Sequence, residues 1–217
     1  MRSDGLQSLA VDAAHGHALL SMDRREFFNA ALRKTGRVVV EQAERKAARQ
    51  AAAWVRPPFA LKELDFLLNC TRCGACVQAC PHGVVFLLGA KVGAQATGTP
   101  ALDLLHRGCR LCKEWPCVSA CEAGALRLPE TDGAATGDIP PPRIAVAEIR
   151  QDQCLPYLGP ECGACAGSCP VPGALRWRGH RPHIDSDLCT GCALCREACI
   201  LDPKAIRIRS IYGAHAV

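Results

Sequence analysis

Apolar and polar positions along this chain change period often, and they predict many short elements rather than a few long ones. Glu41 to Val55 is rich in Ala, with Arg, Lys and Glu between, a composition that favours helix. Pro57-Pro58 ends it, because proline has no N–H with which to continue the ladder. Phe59 to Asn69 leads from there into a cysteine-rich segment. Val84 to Leu88 reads as a short apolar strand, and Leu102 to Leu105 leads into a second cysteine segment. Ala125 to Leu128 and the alternating Ile144 to Ile149 read as further strands. Ala174 to Arg178 and Pro182 to Asp185 flank Gly179 as a hairpin, and Ala205 to Ile211 is a last strand. Gly89 to Pro100 and Pro129 to Pro142 read as surface loops. Residues 1–21 have no period and read as disordered, with Met22 as an alternative start, and the last residues read as a tail.

Such short elements enclose little. Aromatic residues make up 5% of the 217 positions, so an ordinary core would be thin. The 16 cysteines change that picture. They fall into four runs with none left over: Cys70, Cys73, Cys76 and Cys80; Cys109, Cys112, Cys117 and Cys121; Cys154, Cys162, Cys165 and Cys169; Cys189, Cys192, Cys195 and Cys199. The first is C-x2-C-x2-C-x3-C closed by Pro81, the ligand spacing of a bacterial-type 4Fe–4S centre. Two-residue gaps curl the chain around a cuboidal cluster, and Gly74 lets the backbone approach the sulfurs. The last gap sets Cys76 and Cys80 one helical turn apart. The fourth cysteine of such a run serves the other cluster of a pair, so runs work in twos. The insert Leu155 to Glu161 stretches the first gap of the third run.

Disulfides and zinc are the alternatives. Disulfides need an oxidising compartment. Arg24-Arg25-x-Phe27-Phe28 is similar to a twin-arginine export motif, but Arg33, Lys34 and Arg37 interrupt the apolar stretch that should follow. Zinc sites use well-separated knuckles or add histidine, and His180 and His183 read as exposed turn or strand residues. The reading is therefore four 4Fe–4S clusters on the sixteen cysteines, with cluster binding coupled to folding, and Trp115 packed beside one of them. The formal charge of +5 counts every thiol as neutral; four clusters, each 2− with its thiolates, bring the chain to about −3. Nucleic acid is not an expected partner. Arg37, Arg45, Lys46, Arg49 and Arg56 make a basic helical arm over 22–56, read as a solvated helix, or alternatively as an arm that docks an acidic partner or a membrane surface. No run approaches the roughly 20 apolar residues of a membrane span.

Arg56-Pro57-Pro58 followed by Cys70-Thr71-Arg72-Cys73-Gly74-Ala75-Cys76 resembles the four-cluster ferredoxin-type accessory proteins of periplasmic nitrate reductase (NapF-like). Gly98-Thr99-Pro100, the segments Cys109 to Val118 and Cys154 to Cys162, and Cys189-Thr190-Gly191-Cys192 resemble the related NapG/MauM type, which includes a methylamine-utilisation ferredoxin. The resemblance runs from Arg56 to Ile211. Glu122 and Ile200 depart from it, standing where proline usually follows the second and fourth runs. The full twin-arginine signal of exported members is lacking. The resemblance implies an α+β fold, with two ferredoxin-like two-cluster modules in 57–217 behind the helical arm. Pairing of the runs is sequential or nested. The C-x2-C-x4-C-x3-C second run is shared with nested four-cluster subunits of molybdenum enzymes and favours nesting, with an outer module 60–95 plus 180–211 and an inner module 100–179. Nesting would group Cys70, Cys73 and Cys76 with Cys199; Cys189, Cys192 and Cys195 with Cys80; Cys109, Cys112 and Cys117 with Cys169; and Cys154, Cys162 and Cys165 with Cys121.

The function so implied is one-electron transfer between a donor and a redox enzyme or a membrane quinone-linked subunit, without substrate chemistry. No G-x-G-x-x-G or G-K-[ST] loop is present for a nucleotide. The alternatives are a maturation protein that binds an apo-enzyme, and a redox or oxygen sensor. The expected location is the cytoplasm, at a membrane through a partner, with periplasmic delivery by the twin-arginine route as the alternative.

Overall fold

The computed structural model describes residues 24–130 and 139–213, with side chains from residue 38 onward. The expected disorder of 1–21, the start at Met22, the middle of the Pro129–Pro142 loop and the C-terminal tail lie outside the described residues. The chain groups into two units, Met1–Val40 and Glu41–Val217. Helix α1 spans Arg24–Ala51, so it begins earlier and ends sooner than composition predicts. Its last regular residue gives way to tighter i→i−3 turns that carry the chain to Trp54.

The larger unit repeats one plan twice. In the first half, α2 (Glu63–Asn69) precedes the first run, α3 (Ala75–Gln78) lies within it, and β1 (Val85–Leu87) leaves it. A 3-10 turn at Ala90–Val92 follows, and β2 (Pro100–Leu102) returns antiparallel to β1. Helix α4 (Pro116–Ser119) lies within the second run. The half is closed by a bridge between Ala60 and Leu126, with the Leu61 N–H donating to Ala125 and the Arg127 N–H to Phe59. The strand expected over Ala125–Leu128 shrinks to that bridge, because Pro57 and Pro58 just upstream have no N–H to extend a ladder.

In the second half, β3 (Ala145–Ile149) pairs antiparallel with β6 (Ile206–Ser210) and closes around the hairpin of β4 (Leu175–Arg178) and β5 (Arg181–Ile184). Helix α5 (Leu155–Leu158) folds the insert of the third run, and α6 (Leu194–Ala198) lies in the fourth. The architecture is α+β, with three two-stranded sheets among the described residues.

The main core is partly made of cysteine. Cys76, Cys109 and Cys192 sit among Val55, Phe66, Val84, Leu102, Trp115, Leu126, Ile144 and Leu194, so one apolar cluster runs from the first half into the second. Arg56 differs from its reading as a member of a basic surface. Its guanidinium is buried and donates to both Glu63 carboxylate oxygens, at 3.0 and 2.6 Å. It also donates to the Thr99 hydroxyl at 2.8 Å and the Pro100 carbonyl at 2.7 Å, and it stacks over Phe66 at 4.5 Å. The Glu63 N–H donates to the Tyr212 hydroxyl at 3.1 Å, which ties the chain's last described turn to this knot. Among the described residues no helix is long and apolar enough to cross a membrane.

Candidate metal centres

The cysteine runs bend as they do because their backbone repeatedly enters the left-handed region. Arg72 (φ 60), Leu111 (φ 50) and Gly191 (φ 76) each precede the second cysteine of a run. Gly74 (φ 77), Trp115 (φ 48) and Ala193 (φ 66) each stand two residues before the third and start the short helices α3, α4 and α6. These kinks turn successive side chains inward and aim N–H groups at sulfur. Gly74 serves its φ alone: a Cβ there would meet no atom of a non-neighbouring residue.

The thiols so aimed form four groups, each with three members from one run and one from another. Cys70, Cys73, Cys76 and Cys121 line one small cavity with Phe66, the site termed A. Cys80, Cys109, Cys112 and Cys117 line site B, where Trp115 packs against the cavity and meets Phe59 edge-on at 4.8 Å. Cys154, Cys162, Cys165 and Cys199 line site D. At site C, Cys169 stands close enough to Cys189, Cys192 and Cys195 for a charge on it to raise each of their thiols.

The grouping corrects the expected nesting. Cys121, not Cys199, completes the first-run site, and Cys80 joins the second run rather than the fourth. Cys199 completes the third-run site, and Cys169 joins the fourth run. The physical reason is the closure of each half on itself: helices α3 and α4 pack together, while β3 and β6 bracket the third and fourth runs. The insert does not remove Cys154 from its site. Helix α5 takes up the extra length, and the Tyr157 hydroxyl donates to the Pro182 carbonyl at 2.8 Å to hold it down. His180 and His183 are exposed.

Burial pushes the thiols of Cys76, Cys109 and Cys165 up to about 11, and those of Cys117 and Cys195 up to about 12, with neighbouring thiols adding to the effect. Cys73 is the reverse: the Ala75 N–H and then the Thr71 hydroxyl hold it below its ordinary value. Groups of buried thiolates are stable only around compensating positive charge. Among the described residues no three His, Cys, Asp or Glu side chains converge on a point as a single ion requires. Thiols spread around a cavity suit a multi-iron cluster better than zinc, so the residues present fit the 4Fe–4S group.

Further groups near sulfur were not legible from spacing. The Leu126 N–H donates to Cys121 Sγ and the Gly191 N–H to Cys189 Sγ, both at 3.4 Å. The Thr190 hydroxyl is buried without a hydrogen-bond partner among the protein's own groups, and it sits beside Cys192, whose charged form it favours. The only sequence signal for it is that threonine follows the first cysteine in the first and fourth runs and in neither of the others.

The 4Fe–4S binding domain family matches residues 68–86. The methylamine utilization ferredoxin-type protein MauM of Methylobacillus flagellatus is 35% identical over 86% of this chain and 83% of its own. The ferredoxin-type protein NapG of Escherichia coli is 32% identical, covering 85% of this chain and 84% of its own. The ferredoxin-type protein NapF of the same organism is 31% identical over 70% of this chain and 83% of its own. No solved structure matches the chain.

Proposed function

This chain belongs to the ferredoxin-type 4Fe–4S proteins that include NapG and MauM, and on that footing we propose that it carries four 4Fe–4S clusters and passes single electrons between a donor and a partner redox enzyme. The observation that supports this most directly is the arrangement of the sixteen thiols in four groups, each drawing three from one run and one from another. Sites A and B form one two-cluster module and sites C and D the other, each site holding its group through four thiolates. Each cluster, when bound, takes up and releases one electron without bond rearrangement.

The chain's own residues do the rest. The left-handed kinks set the directions of the thiolates. The N–H groups of Ala75, Gly191 and Leu126 stabilise sulfur charge. Apolar residues such as Phe66, Trp115 and Leu126 exclude water from the cavities. The partner is a redox enzyme or a membrane quinone-linked subunit, and the chain performs no substrate chemistry. The test is iron, sulfide and zinc per chain on anaerobically purified protein, followed by an EPR redox titration. About sixteen irons with low-potential signals are expected; zinc, or iron for only two centres, overturns the proposal.

A further inference from the structure

The four sites have an order in space that their order along the chain hides, and one short contact sets it. Within each half the two sites adjoin through the runs themselves: Cys76 of site A and Cys80 of site B lie one helical turn apart, as do Cys195 of site C and Cys199 of site D. Between the halves, the Cys109 N–H donates to the Cys192 carbonyl at 2.7 Å. These are a site B residue and a site C residue. The route from one sulfur to the other is thus two side chains, two Cα atoms and one hydrogen bond.

Two residues outside the cysteine set make this approach possible. A Cβ on Gly108 would fall 2.6 Å from Leu194 Cδ2 and 2.8 Å from the Leu194 backbone nitrogen, so only glycine lets the chain pass there. Glu197 then grips both sides of Cys109. Its Oε2 accepts from the Gly108 N–H at 2.8 Å, and its Oε1 accepts from Arg110 Nη2 at 3.0 Å. Glu197 lies between Cys195 and Cys199, so the clamp is built into the fourth run itself.

We propose that this contact is the crossing between the two modules, that the centres stand in the order A, B, C, D with A and D as the ends, and that Gly108 and Glu197 are its positioning residues. The inference rests on the electron-carrying reading above. An electron that crosses there oxidises one centre and reduces the other; no atom moves and no further reactant is needed.

Spin–spin interaction between reduced centres reads the order. Protein that keeps only B and C, through Cys73→Ala with Cys162→Ala, is expected to show a split, interacting EPR spectrum after dithionite reduction. Protein that keeps only A and D, through Cys112→Ala with Cys189→Ala, is expected to show two non-interacting signals. Interaction in the A–D pair, or none in the B–C pair, overturns the order. The clamp is tested with all sixteen cysteines in place. Glu197→Ala is expected to retain its iron while losing interaction between B and C, and Glu197→Gln to keep more of it, since an amide oxygen still accepts from Gly108. Full iron with unchanged interaction in Glu197→Ala overturns the positioning role. Iron content of the unaltered protein separates the two readings: about sixteen irons there with B and C uncoupled sinks the order alone, whereas missing iron there sinks the electron-carrying reading.

Discussion

Cys121 faces Cys76 across site A, while Cys80, one helical turn along from Cys76, belongs to site B. The crossover is the signature of sequential pairing, and it distinguishes these modules from nested ones. Cys121→Ser and Cys73→Ser should therefore damage the same centre, and the double variant should lose no more iron than either alone. Cys199→Ser should damage a different centre, so that Cys73→Ser with Cys199→Ser loses about twice the iron of a single variant. Iron analysis with EPR decides it; the reverse pattern, with the Cys73/Cys121 double variant losing about twice the iron and the Cys73/Cys199 variant no more than a single one, would return the nested arrangement.

Arg56 holds a buried carboxylate, a hydroxyl and a carbonyl in one fork, with side-chain exposure of 6% for Arg56 and 1% for Glu63. Arg56→Ala leaves the buried Glu63 carboxylate without its cation, with the Trp54 indole N–H still donating at 3.4 Å, which costs about 3–5 kcal/mol. Arg56→Lys should recover little, because an ammonium lacks the planar fork. Denaturant melts of the cluster-loaded protein measure both. A loss under about 1 kcal/mol in Arg56→Ala would mean that the knot is not structural.

Gly74 and Gly191 both have positive φ, and the structure separates strain from collision. Gly74→Ala meets open space and should cost about 1–2 kcal/mol for its backbone alone, with iron content unchanged. Gly191→Ala places a Cβ 2.2 Å from the Ala145 carbonyl oxygen, which β3 cannot relieve without leaving site C. That variant should lose about four irons per chain. Iron and yield measured side by side test the contrast, and full iron in Gly191→Ala would refute it.

Thr190→Val keeps shape and removes the buried hydroxyl beside Cys192. A donor at the sulfur stabilises the more negative, reduced state, so its removal should lower one potential. At roughly 1 kcal/mol for a hydroxyl turned toward charged sulfur, the shift is about 40 mV for a one-electron couple. A redox titration should show one centre moved and three unmoved. Movement of all four, or of none, would contradict the assignment.

What the sequence made legible was whatever depends on spacing. The four runs, the hairpin around Gly179 and the strands near Val85, Ala145 and Ile206 all follow from local pattern. Helix α2 was missed because its seven residues carry too little periodicity to separate from a loop. Spacing does not decide the pairing of the runs, because the nested and sequential schemes both satisfy it. The choice lies in contacts between Cys76 and Cys121 and between β3 and β6, which no local pattern encodes. Arg56 looked like surface charge because its partners Glu63 and Thr99 come together only when the chain folds back on itself.

The contact between Cys109 and Cys192 also bears on how the molecule is made. Sites A and B have all their ligands once Cys121 has left the ribosome, whereas C and D wait for Cys189 to Cys199. The inner link of the series thus exists only after the first module is complete. A prematurely terminated chain would hold one finished module with its inner face open and nothing to hand electrons to, so that interrupted translation yields a dead end rather than a shortened wire.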